Sequence, residues 1–140
     1  MDAEGCVFCD IIAGRKRGSF VHRGELVSAF LTIGPVNPGH VLVVPTRHAA
    51  GIADLTAAEN QALFELARRL SAALRQSSLR CEGINYWLAD GEAAFQDVFH
   101  AHLHVIPRFR GDSFKVEFDR RIPERHELDE IAQTVENCLA

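Results

Sequence analysis

The sequence predicts an α+β fold carrying an antiparallel sheet, and three observations lead there. Short β-branched runs follow one another with turns rather than helices between them. Only two long segments carry a sustained helical period, and they lie far apart in the chain instead of alternating with the strands. With 140 residues, 47% of them hydrophobic and 24% charged, the chain has the size and balance of one ordinary globular domain. Collagen-like, disordered and membrane-spanning classes are thereby excluded.

In chain order, Val7 to Ala13 reads as a short helix stopped by Gly14, followed by a solvated basic loop at Arg15-Lys16-Arg17-Gly18. Val27 to Leu31 reads as a strand. The segment Gly34-Pro35-Val36-Asn37-Pro38-Gly39 is dense in turn residues, and His40 to Pro45 follows as a β-branched strand closed by proline. Thr56-Ala57-Ala58-Glu59 is a capping box, with a hydroxyl at the N-cap and a carboxylate three residues on. It opens the longest helix, whose Leu63, Leu66, Ala67, Leu70 and Leu74 recur on one face while Arg68 and Arg69 point away; Ser77-Ser78 ends it. Gly83 to Leu88 and Val98 to Arg108 read as two more strands around a loop at Ala89 to Asp97. Glu124 to Leu139 reads as a second amphipathic helix, with Leu128, Ile131, Ala132, Val135 and Leu139 on its apolar face. One domain over 1–140 is expected, its motif-bearing part at about 6–114 and a helical extension at about 124–139.

Fifteen Lys and Arg stand against 19 Asp and Glu, a net charge of −4. That balance argues against a nucleic-acid backbone binder or a membrane-surface module, both of which want a strongly basic face. The acidic start Met1-Asp2-Ala3-Glu4-Gly5 leads into no apolar run of signal-peptide type, and no stretch approaches the roughly 20 apolar residues of a spanning helix. The expected setting is the cytoplasm, where Cys6, Cys9, Cys81 and Cys138 are thiols or metal ligands rather than disulfides. Cys81 and Cys138, isolated in sequence, read as small packing residues.

Histidine is the outlier, with 7 in the chain. Three of them form His100-Ala101-His102-Leu103-His104-Val105-Ile106, a spacing that in a strand places three imidazoles on one face and Ala101, Leu103 and Val105 on the other. One metal does not explain the row, because His100 and His104 would lie about 13 Å apart at about 3.3 Å per residue, while each ligand nitrogen must approach a metal to about 2.1 Å. Nucleophilic catalysis explains it better. A neutral imidazole nitrogen can attack phosphorus, provided its other nitrogen is held as a donor, and neighbouring imidazoles can orient it and bind phosphate oxygens.

The segment resembles the histidine-triad (HIT) family pattern, His-φ-His-φ-His-φ-φ with φ an apolar residue. The resemblance extends to Cys6-Val7-Phe8-Cys9-Asp10-Ile11-Ile12, to Pro35-Val36-Asn37-Pro38-Gly39-His40 with the strand after it, and to Gly91 through His100. It implies a HIT-like fold: an antiparallel sheet of about five strands with one long helix, pairing into a homodimer. It implies a hydrolase or transferase acting at the α-phosphate of nucleoside phosphoramidates or dinucleoside polyphosphates, through a nucleotidyl-histidine intermediate. Carried onto this chain, His102 matches the nucleophile, His104 the histidine beside it at the phosphate, His40 the supporting histidine, and Gln96 an amide facing the leaving-group oxygen. Val7, Phe8, Ile11 and Phe30 match the base and sugar pocket.

Thr32 stands where a branch of the family carries a ribose-gripping aspartate. Ala89 replaces an asparagine and Phe95 a glycine, and Asp97 sits where a serine or another acid is seen. These departures favour weaker ribose binding or a different leaving group. They also support an alternative, a nucleotide-binding interaction protein whose catalysis is weak or incidental. Cys6 and Cys9 alone supply half of a tetrahedral site. The resemblance to bacterial members with this N-terminus implies Zn²⁺ held by Cys6, Cys9, His48 and His100. His22 and His126 read as solvated, and Arg108 and Arg110 as surface residues past the triad.

Overall fold

The computed structural model describes residues 3–140. Its elements are α1 (Val7–Ile12), β1 (Phe20–Arg23), β2 (Val27–Leu31), β3 (Val41–Pro45), α2 (Ala57–Gln76), β4 (Gly83–Leu88), β5 (Leu103–Arg108) and α3 (Arg125–Cys138), with two 3₁₀ turns at Ile52–Asp54 and Glu92–Ala94. The five strands form one sheet in the order β1-β2-β3-β5-β4, with each neighbouring pair antiparallel. Among the described residues no helix is long and apolar enough to cross a membrane.

Alternation along the central strands divides the apolar side chains between two faces. Val27 and Ala29 of β2, Val41 and Val43 of β3, and Leu103 and Val105 of β5 pack with Leu63, Leu66, Ala67 and Leu74 of α2 into the main core. Phe30, Leu42 and Val44 point to the opposite face, where Phe8 of α1 covers them. That second face carries the site. The sheet is buried on both sides near β3, which is why Val41 to Pro45 reads as an unbroken apolar run instead of an alternating one.

The capping box at the start of α2 forms as the sequence predicts: Thr56 Oγ1 accepts from the Glu59 amide at 3.1 Å, and Glu59 accepts from the Thr56 amide at 2.8 Å. Glu59 also receives both arms of Arg47, at 2.9 and 2.8 Å. Arg47 in turn donates to the carbonyls of His48 and Asp54. A helix cap thus fixes the loop on which His48 sits. The Arg47 guanidinium, ahead of the Thr56 hydrogen bonds, holds the Glu59 carboxyl down to about 2.

Three local differences from the sequence reading have physical causes. β1 was not expected. It is a four-residue edge strand between Gly18 and Gly24, with an irregular register at Phe20/His22, too short for a period to register. β5 begins at Leu103, not Val98, because Ala101 spends its amide on the Ala49 carbonyl at 2.7 Å instead of on the sheet. His100 and His102 therefore precede the strand, yet Ala101, Leu103 and Val105 still face the core. Cys138 is exposed, not packed, whereas Cys81 lies against the main core.

Phe95 has φ +67° and ψ +25°, in the left-handed region, and its side chain is 82% exposed. A left-handed L-residue costs about 1–2 kcal/mol, against roughly 0.5–1 kcal/mol of extra chain entropy for glycine. Phe95→Gly is expected to raise stability by up to about 1 kcal/mol in urea unfolding; a clear loss of stability would show that the exposed ring packs on something the backbone needs.

Candidate active site and metal centre

α1 begins at the N-cap Cys6, whose sulfur accepts from the Cys9 amide at 3.5 Å, so one turn of helix brings the two thiols together. Against them lie two imidazoles from distant segments. Cys6 Sγ and Cys9 Sγ are each 3.5 Å from His100 Nδ1, and Cys9 Sγ is 3.3 Å from His48 Nδ1. The four ligand atoms all lie within 4.8 Å of one another, a cluster that could hold a metal ion. Its chemistry fits: two thiols and two imidazoles make the Cys₂His₂ set of a closed tetrahedral site. His100 is fully buried, and its Nε2 lies 2.8 Å from the Pro45 carbonyl. A carbonyl only accepts, so Nε2 carries the proton and the Nδ1 lone pair faces the thiols. Burial also pushes the His100 pKa down to about 4, keeping the ring neutral as a ligand must be. Burial and the Cys6 thiol push the Cys9 thiol up to about 11, so a thiolate pair needs a cation beside it.

The next two histidines lie outside that cluster. His102 is 3% exposed, and its Nδ1 sits 2.7 Å from the His100 carbonyl. By the same argument Nδ1 is the donor, and Nε2 keeps its lone pair. Phe8 packs edge-on against the ring at 5.1 Å.

His104 is set by a relay. The Val36 amide donates to His40 Nδ1 at 3.1 Å, so His40 bears its proton on Nε2; that atom is 2.9 Å from His104 Nδ1, which leaves His104 with Nε2–H. Adjacent rings, 5.0 Å apart, thus present opposite polarity: a lone pair on His102 and a donor on His104.

The turn that makes the relay possible is built by Gly39, at φ +93°, where a Cβ would come within 2.9 Å of Leu79. Asn37 ties that turn to the end of β5, donating to the Pro107 carbonyl at 3.0 Å and to Asp112 at 2.8 Å. Arg108 grips the same carboxylate at 2.6 and 2.7 Å, holding Asp112 well below the usual carboxylate range. Arg108 is therefore a strut between β5 and its following loop, not a surface cation.

A cleft of about 270 Å³ opens onto His102 and His104. Val7, Phe8, Ile11, Phe30 and Thr32 all line it, so the structure brings together all five residues expected at a base and sugar pocket. Leu31, Ile33, Leu42 and Val98 add to the apolar wall. Leu42 lies in the unbroken apolar run of β3, which gives no sign of the face it takes, and Val98 sits in irregular chain with no periodic signal. A larger groove of about 630 Å³ runs between α2 and the 34–39 turn behind His40, but it touches neither His102 nor His104.

A HIT domain family model matches residues 14–111. The chain belongs to the HIT family. "Protein hit" of Bacillus subtilis is 36% identical over 143 residues, covering 99% of this chain and 97% of that protein. A crystal structure of a HIT family member from Bacillus subtilis superposes with a TM-score of 0.90 at 34% identity, covering 98% of this chain and 99% of that one. A Zn-bound histidine triad family protein from Mycobacterium smegmatis superposes at 0.77 with 33% identity, covering 99% of this chain and 100% of that one.

Within this HIT chain, Gln96 departs from expectation. Its side chain is 5% exposed and does not line the cleft. Its amide donates to the carbonyls of Ala50 and Val98 at 2.7 and 3.1 Å and accepts from the Gly91 amide at 2.8 Å. Two of these bonds close the 91–98 loop on itself and the third ties it to the loop after β3, so the amide is engaged by backbone. Asp97 projects instead, its side chain 84% exposed and Oδ1 3.8 Å from His102 Nε2. Thr32 Oγ1 accepts from the Gly34 amide at 3.2 Å, which leaves its hydroxyl proton for the cleft. His126 is exposed and His22 half-buried, and neither approaches the triad.

Burial pushes His40 below the ordinary value of 6.5, and burial with the charges of His102 and His40 pushes His104 down to about 4. A base whose folded pKa is depressed stabilises the fold fully above its unfolded pKa and loses that contribution as pH falls toward the folded value. The melting temperature is therefore expected to be level above about pH 6.5 and to fall between there and pH 4. His104→Gln should flatten that decline. A melting temperature that rises on acidification from pH 7 to 5 would contradict the neutral relay.

Proposed function

We propose that this chain binds a nucleotide in the 270 Å³ cleft and hydrolyses or transfers it at the α-phosphate through a nucleotidyl-histidine on His102. The observation that carries the proposal is the polarity of the two rings. His102 offers an unprotonated Nε2 because its Nδ1–H is spent on the His100 carbonyl, and His104 offers a donor because His40 occupies its other nitrogen. Val7, Phe8, Ile11 and Phe30 hold the base and sugar, and Thr32 meets the ribose.

In the first step the Nε2 lone pair of His102 forms a bond to phosphorus, and the bond from phosphorus to the leaving group breaks with its electron pair on the leaving atom. An amine leaving group takes a proton from solvent. The ring becomes positively charged, and the His100 carbonyl on Nδ1–H stabilises that charge. His104 Nε2–H donates to a phosphoryl oxygen as charge builds there. In the second step water attacks phosphorus, the bond to His102 breaks, and the water's proton returns to solvent. Nucleoside phosphoramidates and dinucleoside polyphosphates are the substrate classes.

Cys6, Cys9, His48 and His100 would hold a structural Zn²⁺, the ion named for the Mycobacterium smegmatis relative. When bound, zinc supplies no chemistry to the phosphate; it neutralises the thiolates and cross-links α1 to the chain on which His102 sits. A homodimer is also proposed, supported by the open edge of β4, where Tyr86 and Trp87 are exposed, and by the uncovered Ile131 and Val135 of α3 with Leu139 at its C-cap.

One observation favours the second reading, a nucleotide-binding interaction protein with weak turnover: Asp97 places a carboxylate beside the nucleophilic nitrogen, while Gln96 is turned inward. Turnover of adenosine phosphoramidate and diadenosine polyphosphates, with AMP binding measured alongside, separates the two. Rapid AMP release supports the enzyme; tight AMP binding with negligible release supports the binding protein. Thr32→Asp is expected to lower the Kd for AMP roughly tenfold, since a charged hydrogen bond to ribose is about twice as strong as a neutral one. An unchanged or higher Kd would remove Thr32 from the ribose.

A further inference from the structure

Next to the nucleotide cleft lies a second cavity, of about 490 Å³, which the nucleotide reading leaves unused. The two share Ile11, Phe30, Leu31, Thr32 and Ile33, so they are joined along one wall. What the second cavity adds is Arg17, Gly18 and Ser19, from the basic loop between α1 and β1. Gly18 lets that loop run close against α1, since a Cβ there would stand 2.6 Å from Ile11 and 3.2 Å from Phe20. The Ser19 carbonyl accepts from the Leu31 amide at 2.9 Å, which fastens the loop to β2. β1 and β2 lie at the other end of the sheet from β4, so the cavity is clear of the edge offered to a partner copy.

Charge decides what the cavity takes. Three cations follow one another in the loop, and two are spent: Asp10 receives Arg15 at 2.8 Å and Lys16 at 3.6 Å. Among the described residues Arg17 pairs with no carboxylate, and Ser19 Oγ has no hydrogen-bond partner. Thr32 Oγ1 accepts from the Gly34 amide, so its own proton is left to donate. No described residue lining the cavity is acidic. Asp97, the carboxylate lining the adjoining cleft, lies beside His102 Nε2, at the α-phosphate end. A guanidinium and two hydroxyls with no acid among them suit an anion. With the α-phosphate at His102 and Thr32 at the ribose, the ribose substituents are the part of the nucleotide that continues into this cavity. Nucleotide sites on another fold make the same exchange: an acidic side chain accepts from a ribose hydroxyl, and an arginine serves where the ribose carries a phosphate. We propose that this cavity binds a phosphate on the 2′ or 3′ oxygen of the ribose, gripped by Arg17 with Ser19 and Thr32 donating beside it. The inference rests on the nucleotide reading above and narrows its substrate class to nucleotides that carry a ribose phosphate as well as the α-phosphate.

Adenosine 2′,5′-bisphosphate and adenosine 3′,5′-bisphosphate probe the site without turnover, with AMP as the reference. One of the two is expected to bind roughly tenfold more tightly than AMP at low ionic strength, and the advantage should shrink with added salt because Arg17 is exposed. Arg17→Gln should bring the ratio of the Kd values close to one, and Arg17→Lys should keep part of it. Lys16→Gln should leave the ratio within about twofold, since Asp10 already engages that side chain. Thr32→Asp should invert the preference, favouring AMP over the bisphosphate. If neither bisphosphate binds more tightly than AMP, or Arg17→Gln leaves the advantage intact, the subsite is wrong while the nucleotide reading stands. An equal loss with Lys16→Gln would reduce the effect to a general attraction by the basic loop and overturn the proposal. So would a loss of GMP affinity in Arg17→Gln with the bisphosphates unaffected, which would put the arginine on the base. If none of these nucleotides binds, the nucleotide reading falls and this inference with it.

Discussion

His102→Asn is expected to lower kcat for adenosine phosphoramidate by about 10⁴-fold or more, the scale seen when a nucleophile that acts as part of a unit is removed. AMP affinity should change by only a few fold, because the apolar walls of the cleft come mainly from α1, β2 and β3 and are untouched. His104→Gln should cost less, about 10²–10³-fold, as for the loss of one donor to a developing oxyanion. The order of these effects is the test of the assigned polarity. A larger loss at His104 than at His102 would mean that the roles of the two rings are reversed. Activity that survives His102→Asn but disappears with a chelator would mean that metal chemistry at the Cys₂His₂ cluster does the work.

Removing the proposed Zn²⁺ should have the largest effect on the fold itself. The cluster joins α1 to the loop after β3 and to the chain before β5. A strong chelator, or Cys9→Ser, is expected to cost about 3 kcal/mol or more of stability; for a domain of this size that is a fall of roughly 10 °C in melting temperature. Turnover should fall with it, since His100 supplies both a ligand nitrogen and the carbonyl that sets the His102 tautomer. A protein that contains no metal as purified and whose melting temperature ignores the chelator would contradict the structural site.

Much of this architecture is legible in the sequence, and the exceptions share a cause. The Thr56/Glu59 capping box, the apolar period of α2 and the Val41–Pro45 run are local signals, and each forms where the pattern places it. The triad's spacing survives even though its first two members precede the strand, because Ala101, Leu103 and Val105 must still reach the core. What sequence could not show is which nitrogen each ring presents. That depends on carbonyls and amides brought together only by folding: Pro45 for His100, His100 for His102, and Val36 for His40. Gln96 misled for the same reason. The resemblance implied an amide facing the leaving-group oxygen, but the nearby carbonyls of Ala50 and Val98 claim it. The Asn37–Asp112–Arg108 clamp left no trace in sequence, because its members come from the 34–39 turn, the end of β5 and the turn after it, and have no periodic spacing.

The central claim is that His102 Nε2 becomes bonded to phosphorus, and it can be observed directly. Protein mixed with adenosine phosphoramidate is quenched within milliseconds under alkaline conditions, where phospho-histidine survives, and is analysed by intact and peptide mass spectrometry. The expected result is a mass gain of one adenylyl group, located on His102 and absent from His102→Asn. An adenylyl group on His104 or His40, or AMP release with no trapped adduct at any quench time, would contradict it.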